Sequence, residues 1–462
     1  MRGLGRFQGR TIDSIMTSLE DLTRDFYNAF PDAPSPRFCR APGRINLLGE
    51  HLDYNGLPVL PMTIDRDICI GFSARDDGQV HMHTRDPRFP RASFLNESHI
   101  SPSMTGAWEN YCKAALQALN TRFAVHSFPG MNMCVEGDIP MAAGLSSSSA
   151  LVVACALAYL AVLDIQLGKD FDHVELASLL AEAEQYVGTK GGMDQAIILL
   201  GGTNQACKID FFPLRVERVP LFEEYAFVAC HSLVSAPKTG GALTRYNEGP
   251  LTCRILSALV EKEAQREFGD DVRIERLGDL WYGPLCLTHS EAADLFEAAL
   301  PKETYRIEDI AARLDMPVDQ VRARWLGDLG APEGGFRLKA RARHQLSEFQ
   351  RVEAGRDLLL GGDAEGFGAL MNDSHESCAR DYGVSCPELD ELVAAARQAG
   401  ALGSRLTGAG FGGYTVSLVP RDRMDQFQHA IHALYYARRP ARSCLACDAV
   451  LVSEASNGAD YV

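Results

Sequence analysis

The chain has no hydrophobic run long enough to cross a bilayer. Its longest, Ala150 to Leu163, is about fourteen residues against the ~20 a spanning helix needs. The first residues, MRGLGRFQGR, have no apolar core and do not resemble a signal peptide. Positive charge is in short supply: 45 Lys and Arg stand against 61 Asp and Glu, a net charge of −16, which opposes non-specific nucleic-acid binding. No internal repeat or low-complexity tract is present. The lysine that would make a Walker phosphate loop is also missing from the one Gly/Ser-rich stretch that resembles such a loop. The thirteen cysteines are an odd number and scattered, many in apolar surroundings such as Cys134, Cys155 and Cys230, which predicts reduced thiols in a cytoplasmic protein. Cys444 and Cys447 form one CxxC without a second pair and are read as packing. Length predicts two domains, and an apolar content of 46% is enough for sizeable cores.

The most informative stretch is residues 43–56, GRINLLGEHLDYNG. It crowds Arg44, Glu50, His51 and Asp53 between the apolar Ile45, Leu47, Leu48 and Leu60, with Gly43, Gly49 and Gly56 shaping the backbone. Such a cluster costs desolvation and adds nothing to a core, so it predicts a polar, uncharged ligand. A sugar fits, because its hydroxyls both donate and accept. The competing reading is a solvated, charge-rich loop.

Residues 137–150, GDIPMAAGLSSSSA, place Gly144, Leu145 and Ser146, Ser147, Ser148 and Ser149 before the apolar run. That run predicts a buried helix, whose N-terminus offers free N–H groups and a dipole to a phosphate chain. One serine would suffice for an ordinary helix cap, and four exceed that need.

Residues 174–187 read as a helix with Glu175, Ser178, Glu182 and Gln185 on its polar face. Glu184 projects instead from the apolar stripe of Leu180 and Ala181, so a cation should meet it: Mg²⁺ if phosphates are near, a structural salt bridge otherwise. Glu182 should be solvated. GTKGGMDQ follows, with Gly188, Gly191 and Gly192 forming a turn and Asp194 just after it, either an Asx turn or cap or a catalytic group. Near the C-terminus, GSRLTGAGFGGYTVSLVP places Gly408, Gly410, Gly412 and Gly413 in a loop before a strand at Tyr414 to Leu418.

These motifs, in this order from residue 43 to 413, resemble those of galactokinases within the wider GHMP family of small-molecule kinases. The resemblance implies an α+β fold of two domains, about 1–225 and 226–462, with the active site in the cleft between them and a helical insert near 250–330. It implies ATP and Mg²⁺ as cofactors and a small sugar as partner, with neither nucleic acid nor membrane, and a monomer. Glu50 and His51 would face the sugar 6-hydroxyl and Asp53 the 3- and 4-hydroxyls. Gly191 and Gly192 would supply backbone contacts, although this loop is one residue shorter than the usual form. Asp194 would be general base or anchor at the anomeric hydroxyl, with Arg44 beside it. Ser148 and Glu184 would hold Mg²⁺, residues 144–149 the phosphates, and Trp108 the adenine unless it packs in the core. Tyr246 matches a sugar-side tyrosine, but Glu248, Gly249 and Pro250 depart from the family pattern.

Two other readings come from the same residues. VGTKGGMDQ, SHESCARDYGVSCPELD and Met62 lean toward N-acetylgalactosamine kinases, and Asn55 leans toward galactose. Some relatives are non-catalytic sugar- and ATP-binding transcriptional sensors, which lack residues of the serine loop; here that loop and Asp194 are intact. Residues 306–325 have the pattern of a helix-turn-helix, yet the acidic total opposes DNA binding. Elsewhere the pattern predicts helices at 18–30, 108–123, 339–370 and 386–399, and strands at 58–73, 78–84, 131–138, 207–215 and 226–230.

Overall fold

The computed structural model describes residues 12–141, 143–187, 192–235, 241–327, 330–439 and 449–462, with backbone alone at 12–18, 185, 187 and 241–247. Strands β1 (Arg37–Leu48), β2 (Leu60–Arg75), β3 (Gln79–His83), β4 (Ala92–Leu95) and β5 (Gly130–Gly137) come early in the chain. They alternate or run apolar, as half-buried and buried strands do. Next come β6 (Gln205–Asp210) and β7 (Arg215–Pro220), which form a two-stranded sheet that Ile209 bridges to Val59, and β8 (Tyr225–His231). The last strands are β9 (Gly403–Leu406), β10 (Tyr414–Pro420), β11 (Val450–Ser453) and β12 (Asp460–Tyr461).

The larger sheet has the order β12-β1-β2-β5-β3-β4, with only β3 and β5 parallel. The smaller runs β11-β8-β10-β9, antiparallel throughout. Residues 460–461 thus return from the far end of the chain to pair with β1.

The apolar run forms the helix Ser147–Val162, and every side chain from Ser149 to Leu160 is buried. A helix apolar on all sides must be enclosed. It packs on β1 and β2 from one side and on the helix Glu109–Arg122 from another. Further helices span His173–Ala183, Met193–Leu200, Gly241–Phe268, Leu338–Gly361, Ala364–Ser377 and Pro387–Gln398. Pro387 sits in the first turn of the last, where its missing N–H costs nothing.

The expected helix-turn-helix is helical but stunted. Ile307–Leu314 is followed by only Val318–Val321 and a π-turn at Arg322–Leu326, and Val321 and Trp325 are buried. No recognition helix stands clear of the protein there. Among the described residues no helix is long and apolar enough to cross a membrane. Cys444 and Cys447 lie outside the described residues.

Candidate active site

Strand β1 delivers the first site residue. Its pairing with β2 slips at Pro42/Arg44 and again at Asn46/Leu48. Bulges of this kind re-aim side chains. The Arg44 side chain turns inward and Arg44 Nε donates to Asp194 Oδ1 at 2.7 Å. Its Nη1 donates to the Gly144 carbonyl, and its backbone N–H donates to the Leu145 carbonyl at 3.2 Å. The first and second motifs are therefore in direct contact. Arg44 is 6% exposed. Burial opposes its charge, and the carboxylates of Asp194, Glu50 and Asp53 outweigh that and hold its pKa above the ordinary value.

Ser146 occupies the helix N-cap position with a left-handed φ of 61°, but it does not cap. Its hydroxyl donates to Asp194 Oδ2 at 2.5 Å. Ser149 Oγ lies 2.6 Å from Glu184 Oε1 and 3.3 Å from Asp194 Oδ2. One serine thus bridges the two carboxylates singled out from sequence. Asp194 lies in the first turn of Met193–Leu200, and Gly192, not Asp194, is the N-cap residue. Its carboxylate is neither an Asx turn nor a cap.

Glu184 begins a 3₁₀ turn after His173–Ala183 and is 8% exposed, whereas Glu182 is exposed. Exposure of Glu175, Ser178 and Glu182 and burial of Glu184 match the expected faces, although the α-helix ends at Ala183 and the side chain of Gln185 lies outside the described residues. The serine that meets Glu184 directly is Ser149, which faces inward from the helix start, while Ser148 and Ser147 are half-buried.

Asp53 sits on a 3₁₀ turn at Asp53–Asn55 and accepts the Gly192 N–H at 3.3 Å. Burial, then the nearby charge of Asp194, raises its carboxyl from 3.8 to about 6. His51 has a left-handed φ of 61° and stacks on Tyr382, with ring centroids 4.4 Å apart and planes at 11°. The Tyr54 hydroxyl bonds both His51 Nδ1, at 3.1 Å, and the Tyr382 hydroxyl. Among the described residues, His51 Nε2 is buried with no partner in good hydrogen-bond geometry. Burial pushes the imidazole down to about 3, so it is neutral at physiological pH.

Glu50 has a buried partner within the protein. Its side chain is 3% exposed and its Oε2 meets Arg405, itself fully buried, at 2.9 Å. A buried guanidinium requires a counter-charge, and Glu50 supplies it. Arg405 also donates to the Asn46 carbonyl at 3.0 Å. Sequence reasoning missed Arg405, although a single arginine within an apolar, glycine-flanked strand was the available signal.

Trp108 departs from the adenine assignment. It is 6% exposed, packs against Phe89 and donates its indole N–H to the Pro90 carbonyl at 2.9 Å, which makes it a core residue. Gly191 lies outside the described residues, as does the side chain of Tyr246.

The third glycine-rich stretch closes against the second. Gly144, at φ 84°, has no room for a side chain: a Cβ there would lie 2.7 Å from the Thr407 carbonyl oxygen. One on Gly408 would lie 2.7 Å from Gly144 Cα. Tyr414 N–H donates to the Ala143 carbonyl at 3.1 Å, and Thr407 Oγ1 bonds both the N–H and the carbonyl of Asn46 at 3.1 Å. A cavity of about 210 Å³ bounded by Asn204, Phe222, Arg421 and Glu454 involves none of these residues.

This arrangement can orient a hydroxyl nucleophile at Asp194 beside a helix start suited to phosphate, with buried hard oxygen donors at Glu184 and Ser149. Residues 110–202 match the GHMP kinases N terminal domain, 356–437 the GHMP kinases C terminal family, and 24–74 the galactokinase galactose-binding signature. The chain is 33% identical to a galactokinase of Dictyostelium discoideum, covering 92% of each. It is 35% identical to one of Roseiflexus sp. (strain RS-1), covering 86% of this chain and 87% of that one. The fold superposes on Lactococcus lactis galactokinase complexed with galactose with a TM-score of 0.74 at 26% identity, covering 96% of this chain and 100% of that one. Mevalonate kinase of L. major shares the fold alone, with a TM-score of 0.53 at 17% identity. With its motifs in contact around Asp194 and relatives matched over nearly its whole length, the chain belongs to the galactokinase family of two-domain, α+β GHMP kinases.

Proposed function

We propose that the chain transfers the terminal phosphoryl group of ATP to the anomeric hydroxyl of α-D-galactose, giving galactose 1-phosphate and ADP. The observation that carries this reading is the Arg44–Asp194 pair, joined by Ser146 and Ser149 at the start of a buried helix and flanked by Asp53. Phosphoryl transfer depends on alignment and charge stabilisation more than on covalent chemistry. Arg44 and the two serines fix both oxygens of Asp194, so its orientation is set before a sugar arrives. In this reading Asp194 draws the proton from the C1 hydroxyl as the oxygen attacks phosphorus. Arg44 pairs with Asp194 and meets charge developing on the transferred group. Asp53 and His51 hold the sugar hydroxyls, and the 144–149 backbone holds the phosphates.

Mg²⁺ suits the oxygens present. Among the described residues no group of three or more His, Cys, Asp or Glu side chains could hold a metal, and Mg²⁺ characteristically uses one or two carboxylates with the nucleotide's own phosphates. Glu184, with Ser148 or Ser149, would hold it, and the ion would neutralise phosphate charge. The free cysteines among the described residues support a reducing, cytoplasmic setting, and we take the enzyme to act as a monomer.

Turnover measured with galactose and with N-acetylgalactosamine tests the reading. Galactose 1-phosphate with ADP in equal amounts is expected. A preference for N-acetylgalactosamine moves the substrate, and failure with both sugars refutes the proposal.

A further inference from the structure

The sugar-facing loop is held from the other half of the chain. We infer that the helix Leu338–Gly361 is a positioning element for the sugar: His344, Gln345 and Glu348 clamp the backbone of Gly49, Glu50 and His51 in the conformation that presents His51 and Asp53 to the ligand. The inference rests on the sugar-kinase reading above.

Three successive loop residues each give one backbone group to one face of this helix. Glu348 Oε1 accepts the Gly49 N–H at 2.8 Å. His344 Nε2 lies 3.0 Å from the Glu50 carbonyl oxygen, and Gln345 Nε2 donates to the His51 carbonyl at 3.1 Å. Residues 344, 345 and 348 share a sector of the helix surface, as i, i+1 and i+4 do. All three side chains are fully buried, so water cannot substitute for them.

Each clamp residue is itself braced. A carbonyl only accepts, so His344 must carry its proton on Nε2, and Ser377 Oγ, 2.9 Å from Nδ1, then donates to the ring. Glu348 Oε1 also accepts from Ser374 Oγ at 2.6 Å, and Oε2 accepts from Arg351 Nε at 2.6 Å. Burial works against the Glu348 charge, but Arg351 and Arg405 outweigh it and hold the carboxyl at about 2.

The loop needs such a hold. Gly49 has φ 96° and His51, which is not glycine, has φ 61°. A left-handed non-glycine residue persists only where its surroundings fix it. The helix also closes on Gly49 sterically, since a Cβ there would lie 2.9 Å from Val352 Cγ2. Among the described residues none of the three clamp side chains hydrogen-bonds to Asp194 or the serine helix, so the effect should fall on sugar binding and spare ATP.

His344→Leu removes one donor, Gln345→Met removes another in a site of similar volume, and His344→Gln restores an amide N–H near the Nε2 position. We expect the first two to raise the galactose KM about tenfold or more with the ATP KM within about twofold, and His344→Gln to return the galactose KM to within about threefold of wild type. In the sugar-free protein, amide exchange across residues 49–56 should quicken by about tenfold in the first two variants and not in the third. An unchanged galactose KM, or an ATP KM that rises in step with it, in variants with near-wild-type melting overturns the inference. If His344→Leu does not fold, Gln345→Met decides. Should the wild-type chain not phosphorylate galactose, the functional proposal fails by itself; the exchange measurement, which needs no sugar, still judges the clamp.

Discussion

Replacing Asp194 with Asn separates chemistry from architecture. The Asp194 side chain is 24% exposed and Arg44's is 7% exposed, so Arg44 is the partner that suffers when the charge is lost. Removing one member of a buried pair outright costs about 3–5 kcal/mol. Asparagine keeps an oxygen for Arg44 Nε, and the site is partly hydrated, so we expect about 1–2 kcal/mol of lost stability and a folded protein. The chemical step loses its proton acceptor. General bases contribute about 10²–10⁴ to rate, so kcat should fall about a thousandfold. A third effect follows from the Asp53 carboxyl, which Asp194 helps to raise after burial: without the second charge its pKa should drop below about 6. Coupled ADP release gives kcat, thermal melting gives stability, and the pH dependence of galactose affinity reads Asp53. A folded variant with kcat within about tenfold of wild type would falsify the catalytic assignment.

Glu184→Gln should raise the Mg²⁺ concentration for half-maximal activity by about tenfold or more while Glu182→Gln leaves it unchanged, and equal effects in a Mg²⁺ titration contradict the metal assignment. Ser149→Ala, which removes the hydroxyl between Glu184 and Asp194, should lower kcat by about ten- to a hundredfold; steady-state kinetics showing no loss would exclude a bridging role. Asp53 titrates in its folded state at about 6 against 3.8, so galactose KM should climb as pH falls through that value and a hydroxyl acceptor is lost; a flat profile counts against its sugar contact. Stability runs the other way. The folded form binds a proton that the unfolded form releases between those values, so this residue's contribution declines as pH rises through the window. Asp53→Asn should therefore melt higher than wild type at pH 7, and a lower melting temperature there would show that the carboxylate is not strained.

Much of this was legible because local pattern and tertiary demand agreed. Tyr414–Pro420, Gly130–Gly137 and Pro387–Gln398 follow their sequence signals closely, and Glu184 is buried and Glu182 exposed as the spacing predicts, even though the α-helix gives way to a 3₁₀ turn at Glu184. The contact of Arg44 with Asp194 joins two motifs that sequence could name but not bring together by spacing. What escaped depended on distant partners. The pairing of Glu50 with Arg405 joins residues far apart in the chain, and Trp108 reads as an adenine contact until Phe89 and Pro90 enclose it. Which of four adjacent serines meets Glu184 turns on the rotation of one helix start, about 100° per residue, and no composition argument reaches that precision.

The seat of Gly144 on Thr407 and Gly408 also bears on inherited variation. Every missense change from a glycine codon adds at least a methyl group, and at either position that methyl meets main-chain atoms 2.7 Å away. A compensating mutation ordinarily trims the neighbour that is in the way. Here nothing remains to trim, because the obstacles are a peptide carbonyl and another glycine, so damaging alleles at codons 144 and 408 should yield revertants to glycine and few intragenic suppressors.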